Sequence, residues 1–297
     1  MAIWNIQLFQ DNIEAALRRA IESSSPVIKL REAIEYSLFP GGKRVRPVLA
    51  MALCHELGGE PELMASAVAA IELAHCASLI HDDLPALDDD DMRRGRPSCH
   101  KRFGEATAIL AADYMMVRAL HLLNECDYPS VQRGRFIEAL GRAFLDLCDG
   151  QQLDLLTPGD PAGLLRVHAL KTGSLFGCAA RFGAIAASVS NPEIDLELAT
   201  RFGRVLGAVF QICNDYADVS QNVAARGRAI SSDIKNNKVT LFSKIQFAER
   251  VKILKDMATT LAAALERLSE GRSLEMTGLI ANDLLNQLQD IVIKQSA

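Results

Sequence analysis

Apolar residues recur three and four positions apart along almost the whole chain, the spacing of amphipathic helices, and no alternating strand pattern or hairpin signal competes with it. Residues 6–21 predict one helix. Ser23, Ser24 and Ser25 before Pro26 offer cap residues and a first-turn proline for a second, reaching about Leu38. Residues 39–47, reading FPGGKRVRP, predict a loop whose Pro47 opens a third helix, stopped by Gly58 and Gly59. Pro61 begins a long apolar helix that runs into a cluster of aspartates at Asp82. Further helices are predicted over 105–124, 130–156, 164–189, 192–219, 239–268 and 274–293, with a loop at 157–163 and a polar connection at 220–237. No repeat or low-complexity tract appears. The pattern predicts one all-α domain spanning 1–297, a bundle of long helices.

Composition sharpens this picture. The chain is 49% hydrophobic but only 5% aromatic, so its core is built from Ala, Leu, Ile and Val, which favours helix on helix. A net charge of −5 excludes the general basic face of a nucleic-acid binder, so an anionic partner must be met by local cations or a metal. Seven cysteines without a CxxC pair fit a reducing, cytoplasmic setting. The N-terminus acquires acidic residues too early for a signal peptide. The most apolar stretch, 63–80, is interrupted by Glu72 and His75 and predicts a core helix, not a membrane span.

Candidate chemistry starts at Asp82. Six of the ten residues from Asp82 to Asp91 are aspartates, followed by Arg93 and Arg94. Such a run is either a solvated loop or a site for a hard cation such as Mg²⁺, which takes carboxylate oxygens and leaves positions for substrate phosphates. Asp88 lies six residues after Asp82, off its helical face, but Pro85 breaks the helix and lets the chain fold back so that both meet one cation. Gln211, Asn214, Asp215 and Asp218, at offsets of three, four and seven, share one helical face; they form either an exposed stripe or a second metal-binding cluster. Lys43, Arg44 and Arg46 follow Gly41 and Gly42, where flexible backbone and a helix N-terminus favour an anion. Lys171 beside Thr172, and Lys238 before Thr240, are single basic residues next to hydroxyls. Together these residues describe a site for diphosphates held through Mg²⁺.

The segments FPGGKRVRP (39–47), HCASLIHDDLPALDDDDMRRGRPSCH (75–100), Gln151 with Gln152-Leu-Asp154, Lys171-Thr-Gly173 and FQICNDYAD (210–218) resemble the trans-isoprenyl diphosphate synthases in order and spacing, above all the bacterial farnesyl and geranylgeranyl types. The resemblance implies helices around a deep central cavity, a homodimer, Mg²⁺ as cofactor, and isopentenyl diphosphate plus an allylic diphosphate (dimethylallyl, geranyl or farnesyl) as substrates. It makes Asp82, Asp83 and Asp88 the first aspartate motif, Arg93 a partner of the allylic diphosphate and Arg94 of isopentenyl diphosphate. It assigns Lys43, Arg46 and His75 to the isopentenyl site. Lys171, Thr172, Gln211 and Lys238 fall around the allylic diphosphate, with Asp215 and Asp218 completing the metal site. Ala77 and Ser78, five and four residues before Asp82, stand where chain length is set; alanine at the first leans toward geranylgeranyl over farnesyl product.

Three departures stand out. Asn214 replaces the aspartate that opens the second motif, Ser232 stands where a lysine is expected, and the C-terminus lacks a frequent arginine. They keep two other readings open: a weakly active or non-catalytic subunit of a hetero-oligomeric synthase, and a terpene cyclase whose Asn-Asp motif Asn214-Asp215 resembles.

Overall fold

A computed structural model of the chain describes residues 6–22, 25–39, 41–156, 159–220, 241–269 and 272–296. The helical period is realised nearly throughout: α1 (Ile6–Glu22), α2 (Ile28–Leu38), α3 (Val45–Glu56), α4 (Ala65–Asp82), α5 (Cys99–Phe103), α6 (Glu105–Glu125), α7 (Ser130–Leu155), α8 (Pro161–Val167), α9 (Gly173–Ala187) and α10 (Leu196–Ser220). Helices Leu241–Lys244, Phe247–Leu268 and Glu275–Ser296 follow. Residues 221–240, which hold Ser232 and Lys238, lie outside the described residues, as does the side chain of Asp218.

Two helices form the centre. α9 is almost wholly buried and packs against α10, α3 and α7. Small residues let it do so: a Cβ on Gly207 of α10 would sit 2.8 Å from the Cα of Gly173, so the two backbones touch there. α4, rich in alanine and therefore a good helix former, packs against α6 and α1. Pro61–Asp82 and Glu105–Glu125 are long and apolar enough to cross a membrane by length and composition, but 67% of the most apolar stretch of the first is buried inside the protein. Its apolarity is that of a core helix.

The structure corrects the sequence reading in several places. Pro61 opens a short 3₁₀ turn, Pro61–Met64, before α4 proper. Pro26 lies outside α2, whose N-cap is Val27. The single helix expected over 164–189 is divided by a π-helical turn, His168–Thr172. A small hairpin was unforeseen: Met92–Arg93 pairs antiparallel with Arg96–Pro97. Its two-residue loop, Arg94 (φ 54°) and Gly95 (φ 75°), has both residues in left-handed conformation, the geometry that matches strand twist in tight hairpins.

Candidate active site

α4 ends at Asp82, with Asp83 at its C-cap. Pro85 halts the helix, Leu87 N–H bonds to Leu84 O at 2.9 Å, and Asp88 N–H returns to Asp82 O at 2.9 Å. The chain therefore folds back as expected, and Asp82 and Asp88 both line one open cleft. The carbonyl end of a helix already carries partial negative charge, which makes these carboxylates a favourable place for a cation.

Asp83 takes another part. It is 2% exposed, does not line the cleft, and accepts Arg93 Nε at 3.0 Å and Arg93 Nη2 as well. Burial outweighs the attraction of Arg93 and lifts its pKa to about 6. The structure gives this carboxylate to Arg93 rather than to a cation beside Asp82, and so fixes Arg93 at the rim, where it also lies 3.5 Å from Asp90. Asp89 and Asp91 are exposed, outside the cleft, with oxygens within 4.8 Å of a ring nitrogen of His100.

Another part of the lining is basic. Lys43, Arg46, His75 and Arg94 form it together. Arg44 borders the cleft too, but, held at φ 51° before α3, it gives its guanidinium to Glu14 at 2.8 Å, Glu72 at 2.6 Å and Leu38 O at 2.9 Å. Arg46 stacks 4.5 Å over the Phe176 ring, its Nε buried without a hydrogen-bond partner; burial draws its pKa down to about 10. Burial, reinforced by Arg46, Arg94, Arg93 and Arg44, holds His75 well below the usual histidine range, so its ring is neutral. The missing side chain at Gly42 keeps the loop against Arg94: a Cβ there would lie 3.3 Å from Arg94 Nη2.

The π turn and α10 complete the cleft. Lys171 Nζ bridges Asp154 of α7 at 2.9 Å and Asp88 at 3.6 Å. Gly150 permits this approach, since a Cβ there would meet Lys171 N at 2.5 Å. The face expected to carry Gln211, Asn214 and Asp215 together divides. Gln211 and Asn214 line the cleft, whereas Asp215, 6% exposed, does not and pairs with His168 at 3.1 Å. Thr172 donates to Gln211 Oε1 at 2.8 Å. Of the two residues expected to limit chain length, Ser78 lines the cleft and donates to His75 O at 2.8 Å. Ala77 is fully buried in the core and is not part of the cleft wall.

Asp82, Asp88 and Asn214 offer hard oxygen donors, and the described residues lining the cleft include no thiol, so the donor set fits Mg²⁺ better than a softer metal. Sequence reading gave no role to Glu72 or His168. Each left a signal: Glu72 is a lone carboxylate in an apolar helix, and His168 stands three residues before Lys171.

Residues 27–277 match the family model described as polyprenyl synthetase. Farnesyl diphosphate synthase of Escherichia coli (strain K12) is 34% identical across 97% of this chain and 99% of its own length. The chloroplastic geranylgeranyl pyrophosphate synthase 11 of Arabidopsis thaliana is 37% identical across 77% of this chain and 67% of its own. A geranyltransferase from Legionella pneumophila has the same fold, with a TM-score of 0.73 at 31% identity over 96% of this chain and 95% of that one. With an aspartate wall and an arginine wall facing one cleft, and matches that extend over most of its length, the chain belongs to the polyprenyl synthetase family, among the trans-isoprenyl diphosphate synthases.

Proposed function

We propose that the protein condenses isopentenyl diphosphate head to tail with an allylic diphosphate (dimethylallyl, geranyl or farnesyl), giving farnesyl or geranylgeranyl diphosphate and releasing inorganic diphosphate. The observation that carries this reading is the joining of two anion-handling walls in one cleft, that of Asp82 and Asp88 and that of Lys43, Arg46 and Arg94. Held by Asp82, Asp88 and Asn214, Mg²⁺ would neutralise the charge growing on the departing allylic diphosphate. Lys171 and Arg93 add fixed positive charge at the same place, with Arg93 aimed by Asp83. Arg46, Lys43 and Arg94 bind the second diphosphate, and neutral His75 contributes a hydrogen bond without extra charge. Leu79, Leu147, Leu175 and Phe210 line the rest and keep water from the allylic cation. The double bond of isopentenyl diphosphate attacks that cation, a carbon–carbon bond forms and a proton is lost; no protein nucleophile is needed.

Both walls are present in one chain, which favours a catalyst over a silent subunit or a cyclase. The test is incubation of the purified protein with isopentenyl diphosphate, each allylic starter and Mg²⁺, with chromatography of the dephosphorylated products. A fifteen- or twenty-carbon alcohol is expected; no elongation with any starter overturns the reading.

A homodimer and a cytoplasmic setting belong to the same proposal. The described structure has seven free cysteines, six of them buried, in keeping with a reducing compartment. Leu110 (59% exposed) and Val117 (67% exposed) lie seven residues apart on one face of α6 and suit a self-complementary contact. Sedimentation equilibrium is expected to give a dimer for the wild type and a monomer for Leu110→Glu combined with Val117→Glu; a monomeric wild type removes the interface.

A further inference from the structure

Asp215 is buried, and both of its oxygens are engaged. Oδ2 lies 3.1 Å from His168 Nε2, and Oδ1 accepts Gln211 Nε2 at 2.7 Å. Between a ring nitrogen and a carboxylate the nitrogen is the donor, since a carboxylate only accepts. Gln211 is fixed at both ends, because its Oε1 takes the Thr172 hydroxyl at 2.8 Å while its amide nitrogen serves Asp215. His168 and Thr172 are the first and last residues of the π turn, and they straddle Gln211 and Asp215, one helical turn apart on α10. Gly207, one turn earlier on the same stripe, touches Gly173, the residue after Thr172, which sets the distance at which these side chains meet. The stripe Gly207, Gln211, Asp215 therefore faces the π turn, and Asn214 is rotated into the cleft beside Gln211.

We propose that His168 is a positioning residue: by clamping Asp215 against the π turn it sets the rotation of α10, so that Asn214 and Gln211, rather than Asp215, meet the metal-bound allylic diphosphate. The proposal rests on the reading of the cleft given under Proposed function. Asp215 then acts through Gln211 and through the placement of Asn214. The isopentenyl wall comes from other elements, Lys43 from the loop before α3, Arg46 from α3, His75 from α4 and Arg94 from the hairpin; Arg46 meets α10 at second hand, over the Phe176 ring that packs against Phe210.

The experiment compares His168→Leu, which removes the donor, with His168→Gln, which restores an N–H, and with Asp215→Asn, which keeps the shape but sets an amide N–H against a donor. His168→Leu and Asp215→Asn are expected to raise KM for the allylic diphosphate by about 10-fold or more, leaving KM for isopentenyl diphosphate within about twofold; His168→Gln recovers most of the loss. A merely structural role would move both KM values together and gain nothing from glutamine, and that result overturns the proposal. Calorimetry with inorganic diphosphate and Mg²⁺ gives a readout independent of turnover. Weaker binding in His168→Leu with recovery in His168→Gln supports the clamp even if no product forms with any starter, an outcome that would sink only the proposed reaction. Equal binding in all four proteins overturns the clamp.

Discussion

Replacing Asp82 with asparagine is expected to lower turnover by about 10²–10³-fold, the size of effect seen when one preorganised electrostatic contact to developing charge is lost. The metal-free protein should at the same time become slightly more stable. Asp82 is the last residue of α4, where the helix dipole disfavours negative charge, and it belongs to a run of six aspartates in ten residues. An aspartate so placed costs about 0.3–1 kcal/mol unless a cation answers it. Asparagine keeps the shape and one oxygen but removes the charge, relieving the metal-free repulsion and weakening the hold on Mg²⁺. Raising Mg²⁺ should recover part of the lost rate. Two measurements decide the matter: kcat across a Mg²⁺ titration, and Tm by calorimetry in the presence of a chelator. Wild-type turnover would take Asp82 out of the site. A drop in Tm under chelation would instead make its carboxylate a structural partner, as that of Asp83 is to Arg93.

The contrast between Asp82 and Asp83 marks what the chain makes legible. Helices, their lengths and the fold-back at Pro85 follow from periodicity and from proline's missing N–H, both local properties. That Asp82 and Asp88 meet could be argued from seven residues. Which of two adjacent aspartates turns to the cleft could not, because the answer lies with Arg93, ten residues on, whose position depends on the left-handed turn at Arg94 and Gly95. The arginine-glycine pair was the available hairpin signal, overshadowed by the helical period on either side. α10 shows the same limit. Spacing placed Gln211, Asn214 and Asp215 on one face, but a helical face is wide, and its division between cleft and core was settled by His168 and Gly173 on another helix pair. The π turn itself left no mark in the hydrophobic pattern, since a five-residue widening shifts the period by less than one step. Ala77 lies below Asp82 along α4, yet a residue's height on a helix does not fix its azimuth, and it faces the core.

Glu72→Leu is expected to be the most destabilising single change near the site, by about 3–5 kcal/mol, because it removes one partner of a buried ion pair and leaves the other. Glu72 is 2% exposed, on a stretch of α4 whose other residues are apolar, and its Oε1 lies 2.6 Å from Arg44 Nη1. The Arg44 side chain is 2% exposed as well, and its remaining carboxylate, Glu14, is 37% exposed and shared with solvent. Glu72 also attracts Arg46, offsetting in part the burial that pulls that guanidinium down to about 10. One carboxylate thus supports two buried arginines, one that fixes the left-handed entry to α3 and one that faces the cleft. At roughly 2–3 °C per kcal/mol for a chain of this size, Tm should fall by about 6–15 °C. Glu72→Gln, which keeps an acceptor for Arg44 without the charge, should lose less. In protein that remains folded, KM for isopentenyl diphosphate should rise more than KM for the allylic substrate, because Arg46 and the loop carrying Lys43 lose their anchor while Lys171 and Asp88 keep theirs. A Tm within about 2 °C of wild type would show that Arg44 finds water or Glu14 at little cost. In that case the buried charge at Glu72 would have to be explained by the substrate's needs alone, as the counter-ion that keeps Arg46 protonated in an apolar wall until a diphosphate arrives.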